Sequence, residues 1–227
     1  MKWILYSFLL LAGCNPVINP EIPDPGYDYF PLVTGNFWEY KTEQIVYTPA
    51  EGKVESTEWL RVKIEDAVEN TDQSVTYHLT NAVKLTETGA WEITKAWIIR
   101  ADYNQLICTI DNLPLVILAF PANLGKTWDG NAFNTIDPEN FEIIDKGSYV
   151  SDLLGQAFND VITVKQRDNQ DFIVNFEQDL VKYGKGIGPL YRSVKNLVYC
   201  QEISCLGLQQ VNEGYEYVQF LTDYGVE

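Results

Sequence analysis

The chain has 227 residues, with 32 acidic against 16 basic side chains and a formal net charge of −16 at pH 7. A surface of that sign repels phosphate backbones and offers no polybasic patch to anionic lipid, which argues against nucleic acid as a partner and against charge-driven membrane attachment. Hydrophobic residues make up 46% and aromatic residues 13%, enough to build a core and contrary to a disordered chain.

In chain order, Met1-Lys2-Trp3 is followed by an apolar run, Ile4 to Leu11, and then Ala12-Gly13-Cys14. A positive start, a short apolar stretch and small residues before a cut are the parts of a secretory signal. The run is far shorter than the roughly 20 residues that span a bilayer. Leu11-Ala12-Gly13-Cys14 resembles the lipobox of bacterial lipoproteins. That resemblance implies cleavage between Gly13 and Cys14, a diacylglyceryl group on the thiol and a further palmitate-type chain on the new amino terminus. Two or more acyl chains anchor a protein stably where one does not. Residues 1–13 are therefore read as a signal peptide, and the membrane as a partner through lipid on Cys14. Asn15 stands where an aspartate would retain a lipoprotein in the inner membrane of enteric bacteria, so the expected address is the outer membrane, on its periplasmic face or at the cell surface.

Residues 14–29 carry Pro16, Pro20, Pro23 and Pro25, a density that favours extended polyproline II at about 3.1 Å per residue. They read as a semi-rigid, lipid-bearing stalk, with residues 30–227 as one antiparallel β domain. Leu60, Val62 and Ile64 alternate with Arg61, Lys63 and Glu65, and Val75, Tyr77 and Leu79 with Thr76, His78 and Thr80. Period two means strands with one covered and one wetter face. Further strands are expected at 37–48, 90–101, 104–110, 141–150, 158–168, 171–182, 189–201 and 208–222. Turns are expected at Thr88-Gly89, Asp168-Asn169-Gln170 and Glu213-Gly214, and a short helical turn near Ser151–Phe158. Short connections between successive strands predict an all-β meander, forming a curved sheet or an open, half-closed barrel. The apolar run 113–120 is either a doubly covered core strand or the rim of a hydrophobic cleft, the core reading being favoured.

One pattern occurs twice. Phe30-Pro31-x3-Gly35-x2-Trp38 returns as Phe120-Pro121-x3-Gly125-x2-Trp128, marking either two equivalent corners of one sheet or a generic turn into a strand. Pro31-Leu32-x2-Gly35-Asn36-x-Trp38-x-Tyr40 after a lipobox resembles the start of a group of functionally unassigned bacterial lipoproteins common in Bacteroidota. The Phe120-to-Trp128 segment, Gly155-x-x-Phe158-x-Asp160-Val161-Ile162-x-Val164 and Tyr183-Gly184-Lys185-Gly186-Ile187-Gly188 resemble later landmarks of that group, with Gly184 in place of its usual alanine. The resemblance spans most of the mature chain. It implies an all-β lipoprotein, reminiscent of periplasmic lipoprotein carriers, and brings no catalytic residues with it.

Reactive chemistry is sparse. His78 is the only histidine, its parity places it on a polar strand face, and no G-x-S-x-G elbow occurs. The glycines of 183–188 are followed by Pro189 and a strand-like run rather than a helix, so they read as a strand junction and not a phosphate cradle. The carboxylate pairs Asp168/Asp171 and Asp137/Glu139 look like solvated acidic surface, and no calcium-loop series exists. No cofactor, metal or catalytic residue is assigned. Cys200–Cys205 is the preferred disulfide, with Cys108 paired to either as the alternative. Trp59 falls among charged neighbours and reads as exposed, while Trp91 and Trp97 share parity with Ile93 and Ile99. These three tryptophans are the candidate ligand face. The leading expectation is a non-enzymatic module binding an apolar or amphipathic ligand or an envelope protein. A surface adhesin binding glycan or protein is second, and a carboxylate-based glycosidase or lyase third.

Overall fold

The computed structural model describes residues 24–227; the expected signal peptide, Cys14 and the first part of the expected stalk lie outside the described residues. A 3₁₀ turn, Tyr27–Tyr29, precedes six strands: β1 (Asn36–Thr48), β2 (Gly52–Glu69), β3 (Val75–Lys84), β4 (Glu92–Ala101), β5 (Gln105–Ile110) and β6 (Leu113–Ala119). Six more follow: β7 (Thr127–Asp129), β8 (Asn140–Ser151), β9 (Gln156–Asp171), β10 (Asn175–Gly184), β11 (Gly188–Tyr199) and β12 (Val211–Val226). They form one antiparallel sheet in the order β6-β5-β4-β3-β2-β1-β12-β11-β10-β9-β8-β7. Each strand pairs with its sequence neighbours, except that β6 and β7 do not pair with each other, and β12 closes on β1 with Trp38 opposite Tyr224. The fold is therefore the expected all-β antiparallel meander, rolled into a nearly closed barrel with one unsealed seam between β6 and β7.

That seam has no regular ladder. It is crossed by Val116 N–H to the Gly130 carbonyl (2.9 Å), by the Trp128 indole N–H to the Val116 carbonyl (2.7 Å) and by the Asn134 amide to the Pro114 carbonyl (2.9 Å).

The period-two pattern fixes which side chains point inward, because successive residues of a strand face opposite ways. Leu60, Val62 and Ile64 face the interior, as do Trp38 and Tyr40 opposite them in register. Arg61 lies outside, bonded to Glu227 and 3.5 Å from Glu39. Ile64, Leu79, Ile99, Ile162, Leu190 and Leu221 are almost wholly buried. Each such side chain contributes about 1.5–3 kcal/mol relative to exposure.

The repeated Phe-Pro-Gly-Trp pattern marks two equivalent corners, the starts of β1 and β7. Gly35 (φ 91°) and Gly125 (φ 79°) both sit in the left-handed region that disfavours other residues. Their N–H groups donate to the carbonyls of Ile64 on β2 and Ile143 on β8, each at 2.8 Å. Each half of the barrel is thus a six-stranded meander opened by the same turn.

Three turns differ from the sequence expectation. The β9–β10 hairpin turns at 171–175, not at Asp168-Asn169-Gln170, because Asp171 accepts the N–H groups of Ile173 (2.9 Å) and Val174 (3.2 Å) and fixes the reversal there. Gly214 lies inside β12 opposite Leu197, where the Asn196 carbonyl leaves no room for a Cβ. Ser151–Phe158 is a β-hairpin connection and not helical.

Candidate ligand-binding lumen

The barrel is sealed at the end where the described chain begins. Asp24 pairs with Lys185 (2.5 Å), the Pro25 carbonyl accepts the Ala122 N–H (2.9 Å), and the Asp28 carbonyl accepts that of Gly186 (2.8 Å). The Tyr29 hydroxyl donates to Asp160. Residues 24–29, assigned from sequence to the stalk, therefore pack against the body. Phe30 continues inward, edge-on to Trp38 with ring centres 5.4 Å apart. Below it the glycine-rich β10–β11 junction crosses the Trp38 ring, whose indole N–H donates to the Ile187 carbonyl (2.6 Å). A Cβ on Gly188, at φ 105°, would come within 2.8 Å of that nitrogen. Glycine here is a matter of close approach, as the strand-junction reading anticipates.

Above this base lies an apolar chamber of about 150 Å³, bounded by Tyr40, Leu79, Trp97, Ile99, Val181 and Tyr183 among others. Leu115, Gln166 and Arg192 line it and also line a second chamber of about 210 Å³. The second is more polar and reaches Asn196, Tyr215 and Ile136, beside the loops at the end away from residues 24–29. The lumen therefore grades from apolar at the base to polar toward the opposite rim.

Arg192, which lines both chambers, is paired with Asp179 on the wall of the outer one. Two guanidinium N–H groups donate to the carboxylate at 3.1 and 2.6 Å, and Arg192 lies 5.6 Å from the centre of the Tyr217 ring. Burial disfavours the arginine's charge, but Asp179 outweighs it by charge and hydrogen bonding, so the proton is held more firmly than usual. Nearby, burial pushes the Tyr217 phenol up to about 12, which keeps it neutral.

The candidate tryptophans are not brought together. Trp97 lines the apolar chamber, and its indole N–H is buried without an acceptor among the described residues. Trp59 is on the outer face, opposite Lys41 and Lys84. Trp91 precedes β4, with the Lys84 ammonium 4.5 Å from its ring centre. The three share no face because a register shift in the β3–β4 pairing, between Asn81 and Ala82, breaks the parity linking 91 to 97. Arg192, Asp179, Gln166 and Tyr217 were not singled out from sequence. Their inward parity beside Val181 and Val194 was the available signal.

The apolar run 113–120 serves both of its sequence readings: Val116 and Leu118 are buried, while Leu115 and Ile117 line the lumen. His78 is exposed on the outer face, its Nδ1 2.5 Å from Asp66. Cys200 and Cys205 are joined in a disulfide with Cα atoms 5.9 Å apart, leaving Cys108 as a buried free thiol on the lumen wall. Burial pushes that thiol up to about 12. Among the described residues no group of three or more metal-ligating side chains occurs.

No protein-family model matches the chain, and no curated protein matches it. Among solved structures, the chain is similar to a protein provisionally described as exported, with a YmcC-like fold, from Bacteroides fragilis. That likeness has 10% identity and a TM-score of 0.49, and covers 86% of this chain and 98% of the other. It is also similar to a protein provisionally described as a lipoprotein from Parabacteroides distasonis. There the identity is 9% and the TM-score 0.45, covering 89% of this chain and 100% of the other.

Proposed function

We propose that the protein is an envelope lipoprotein whose barrel is a non-enzymatic module that binds an apolar or amphipathic ligand in its lumen. The lumen's gradient, from an apolar base to a polar rim, carries this reading. A concave site with mostly apolar walls and a few convergent polar groups is the usual form of a small-molecule site. The residues available for reaction support a non-catalytic role. His78 lies on the outer face with Asp66, and the one lumen thiol, Cys108, is held protonated at neutral pH. Attachment through lipid on Cys14, with Asn15 directing the protein to the outer membrane, rests on the sequence.

The test is uptake of the fluorescent apolar probe N-phenyl-1-naphthylamine, whose three aromatic rings exceed the inner chamber of about 150 Å³ and would span both chambers. Leu115 borders both chambers, so Leu115→Trp should abolish the signal while leaving the circular dichroism spectrum unchanged. Uptake that is absent in the parent protein, or indifferent to this substitution, would overturn the reading. Radiolabelled palmitate should enter the parent chain and not Cys14→Ala.

A second reading, glycan or protein adhesion on the outer face, is favoured by one observation. Trp59 lies half-exposed there between Lys41 and Lys84, an aromatic surface that can stack on a sugar. Glycan-array binding that survives Trp59→Ala would count against it.

A further inference from the structure

Resting on the lumen-binding reading, we infer that the ligand is a single-tailed amphiphile with an uncharged, hydroxyl-bearing head joined through an ester or ether oxygen, of the monoacylglycerol class. Size limits the tail. An apolar cavity of about 150 Å³ accepts a molecule such as benzene, so the inner chamber has room for one short tail of about six to eight carbons. Two or three long acyl chains do not fit there. The lumen is thus unsuited to the triacyl group of another lipoprotein, despite the resemblance to lipoprotein carriers.

Charge selects the head. The cations bordering the outer chamber are already matched. Arg192 is bonded to Asp179, Arg167 lies 3.2 Å from Glu139 and 3.9 Å from Glu177, and Lys195 lies 2.9 Å from Glu216. A carboxylate or phosphate head would meet no free positive charge and would be repelled by the acidic partners. A quaternary ammonium fares no better: the lining carboxylates Glu139 and Asp179 are already paired with Arg167 and Arg192, Arg192 lies beside the Tyr217 ring, and Tyr215 stacks with that ring. What remains are neutral hydrogen-bonding groups, those of Gln166, Gln178, Asn196 and Tyr215, which suit hydroxyls.

The linkage follows from Trp97. Trp97 lines the mostly apolar inner chamber, where Gln166, Arg192 and Gln219 are the other polar side chains, and its buried N–H has no acceptor among the described residues. A buried unmatched donor is costly, and an ester or ether oxygen on the ligand would satisfy it.

Calorimetric titration of the chain from residue 15 onward, which carries neither the apolar run 4–11 nor the acylated thiol, with four probes tests this. The probes are 1-octanoylglycerol, octanoate, octyltrimethylammonium and dioctanoylglycerol, each below its aggregation concentration. The monoacylglycerol should bind at least tenfold more tightly than the others. Trp97→Phe should weaken it by about three- to tenfold, the worth of one neutral hydrogen bond, and leave octanoate unchanged. Equal or tighter binding of octanoate or the ammonium would overturn the head-group assignment, and of the diacyl compound the single-tail assignment. In either case lumen binding itself would stand. An unchanged affinity in Trp97→Phe would overturn the linkage. No binding of any probe, together with failed naphthylamine uptake, would overturn both the binding reading and this inference.

Discussion

Trp38 and Trp128 stand ninety residues apart at equivalent corners of the barrel, and each indole N–H donates to a main-chain carbonyl, that of Ile187 at 2.6 Å and that of Val116 at 2.7 Å. The first pins β1 to the β10–β11 junction at the sealed base. The second bridges the open seam. They differ in burial, since Trp38 is 2% exposed and Trp128 only half-buried.

That difference sets their expected costs. Trp38→Phe loses the hydrogen bond, strands a buried carbonyl and leaves a void, for roughly 2–4 kcal/mol. Trp128→Phe should cost about 1 kcal/mol, because water can reach the freed carbonyl. Urea unfolding followed by circular dichroism measures both, and equal losses would contradict the account.

Arg192 and Asp179 should behave as a coupled pair. Their side chains are 35% and 15% exposed, so lumen solvent screens them in part. Arg192→Met or Asp179→Leu alone should cost about 1–3 kcal/mol by leaving one charge uncompensated, whereas the double variant should recover much of that loss. Additive losses in the double-mutant cycle would show that the two groups act independently.

Cys108 should be inert while the protein is folded. With its pKa pushed up to about 12, almost none of the thiol is ionised at pH 8, and the thiolate is the reactive form. Iodoacetamide at pH 8 should leave Cys108 unmodified by mass spectrometry in native protein and label it fully in 6 M guanidinium chloride. Rapid native labelling would refute its burial.

Glu216 gives a dependence on pH. Burial alone would raise its carboxyl, but Lys195 and the Tyr47 hydroxyl, each 2.9 Å away, outweigh burial and hold it below its ordinary value of 4.5. A lowered folded-state pKa contributes stability that is present above the unfolded value and lost as pH falls through the folded one. Glu216→Gln should therefore cost about 0.5–1.5 kcal/mol at pH 7. Its deficit relative to the parent should shrink below about pH 4.5. A deficit that widens on acidification would reverse the sign of this argument.

The meander was legible in the sequence because alternation is a local property: Leu60, Val62 and Ile64 announce their shared face without reference to any partner strand. The two corners were also visible, since the constraint is again local, a left-handed glycine before a tryptophan. The β9–β10 turn was misplaced because Asp168-Asn169-Gln170 has the better turn chemistry by residue type, while the pairing of Gln170 with Phe176 carries the strands past it. Gly214 read as a turn because sequence alone does not reveal a neighbouring strand's carbonyl against its Cα. The lumen was hidden for a related reason. Trp97 joins Leu79 and Tyr183 around one cavity only after β3, β4 and β10 have curled toward one another, and parity alone could not reveal the slip that separates it from Trp91.

The β1–β12 joint has a consequence for how the chain folds. Every other ladder joins neighbours in sequence and can form by local zipping, with small losses of chain entropy. Pairing Asn36 with Val226 requires nearly the whole described chain to have been gathered first. Until then each six-stranded half has two bare edges and an uncovered apolar face, the state most prone to pair with another molecule. The slow and hazardous step is therefore the meeting of the two halves. A chain cut between β6 and β7, where no ladder is lost, should still reassemble from its two pieces.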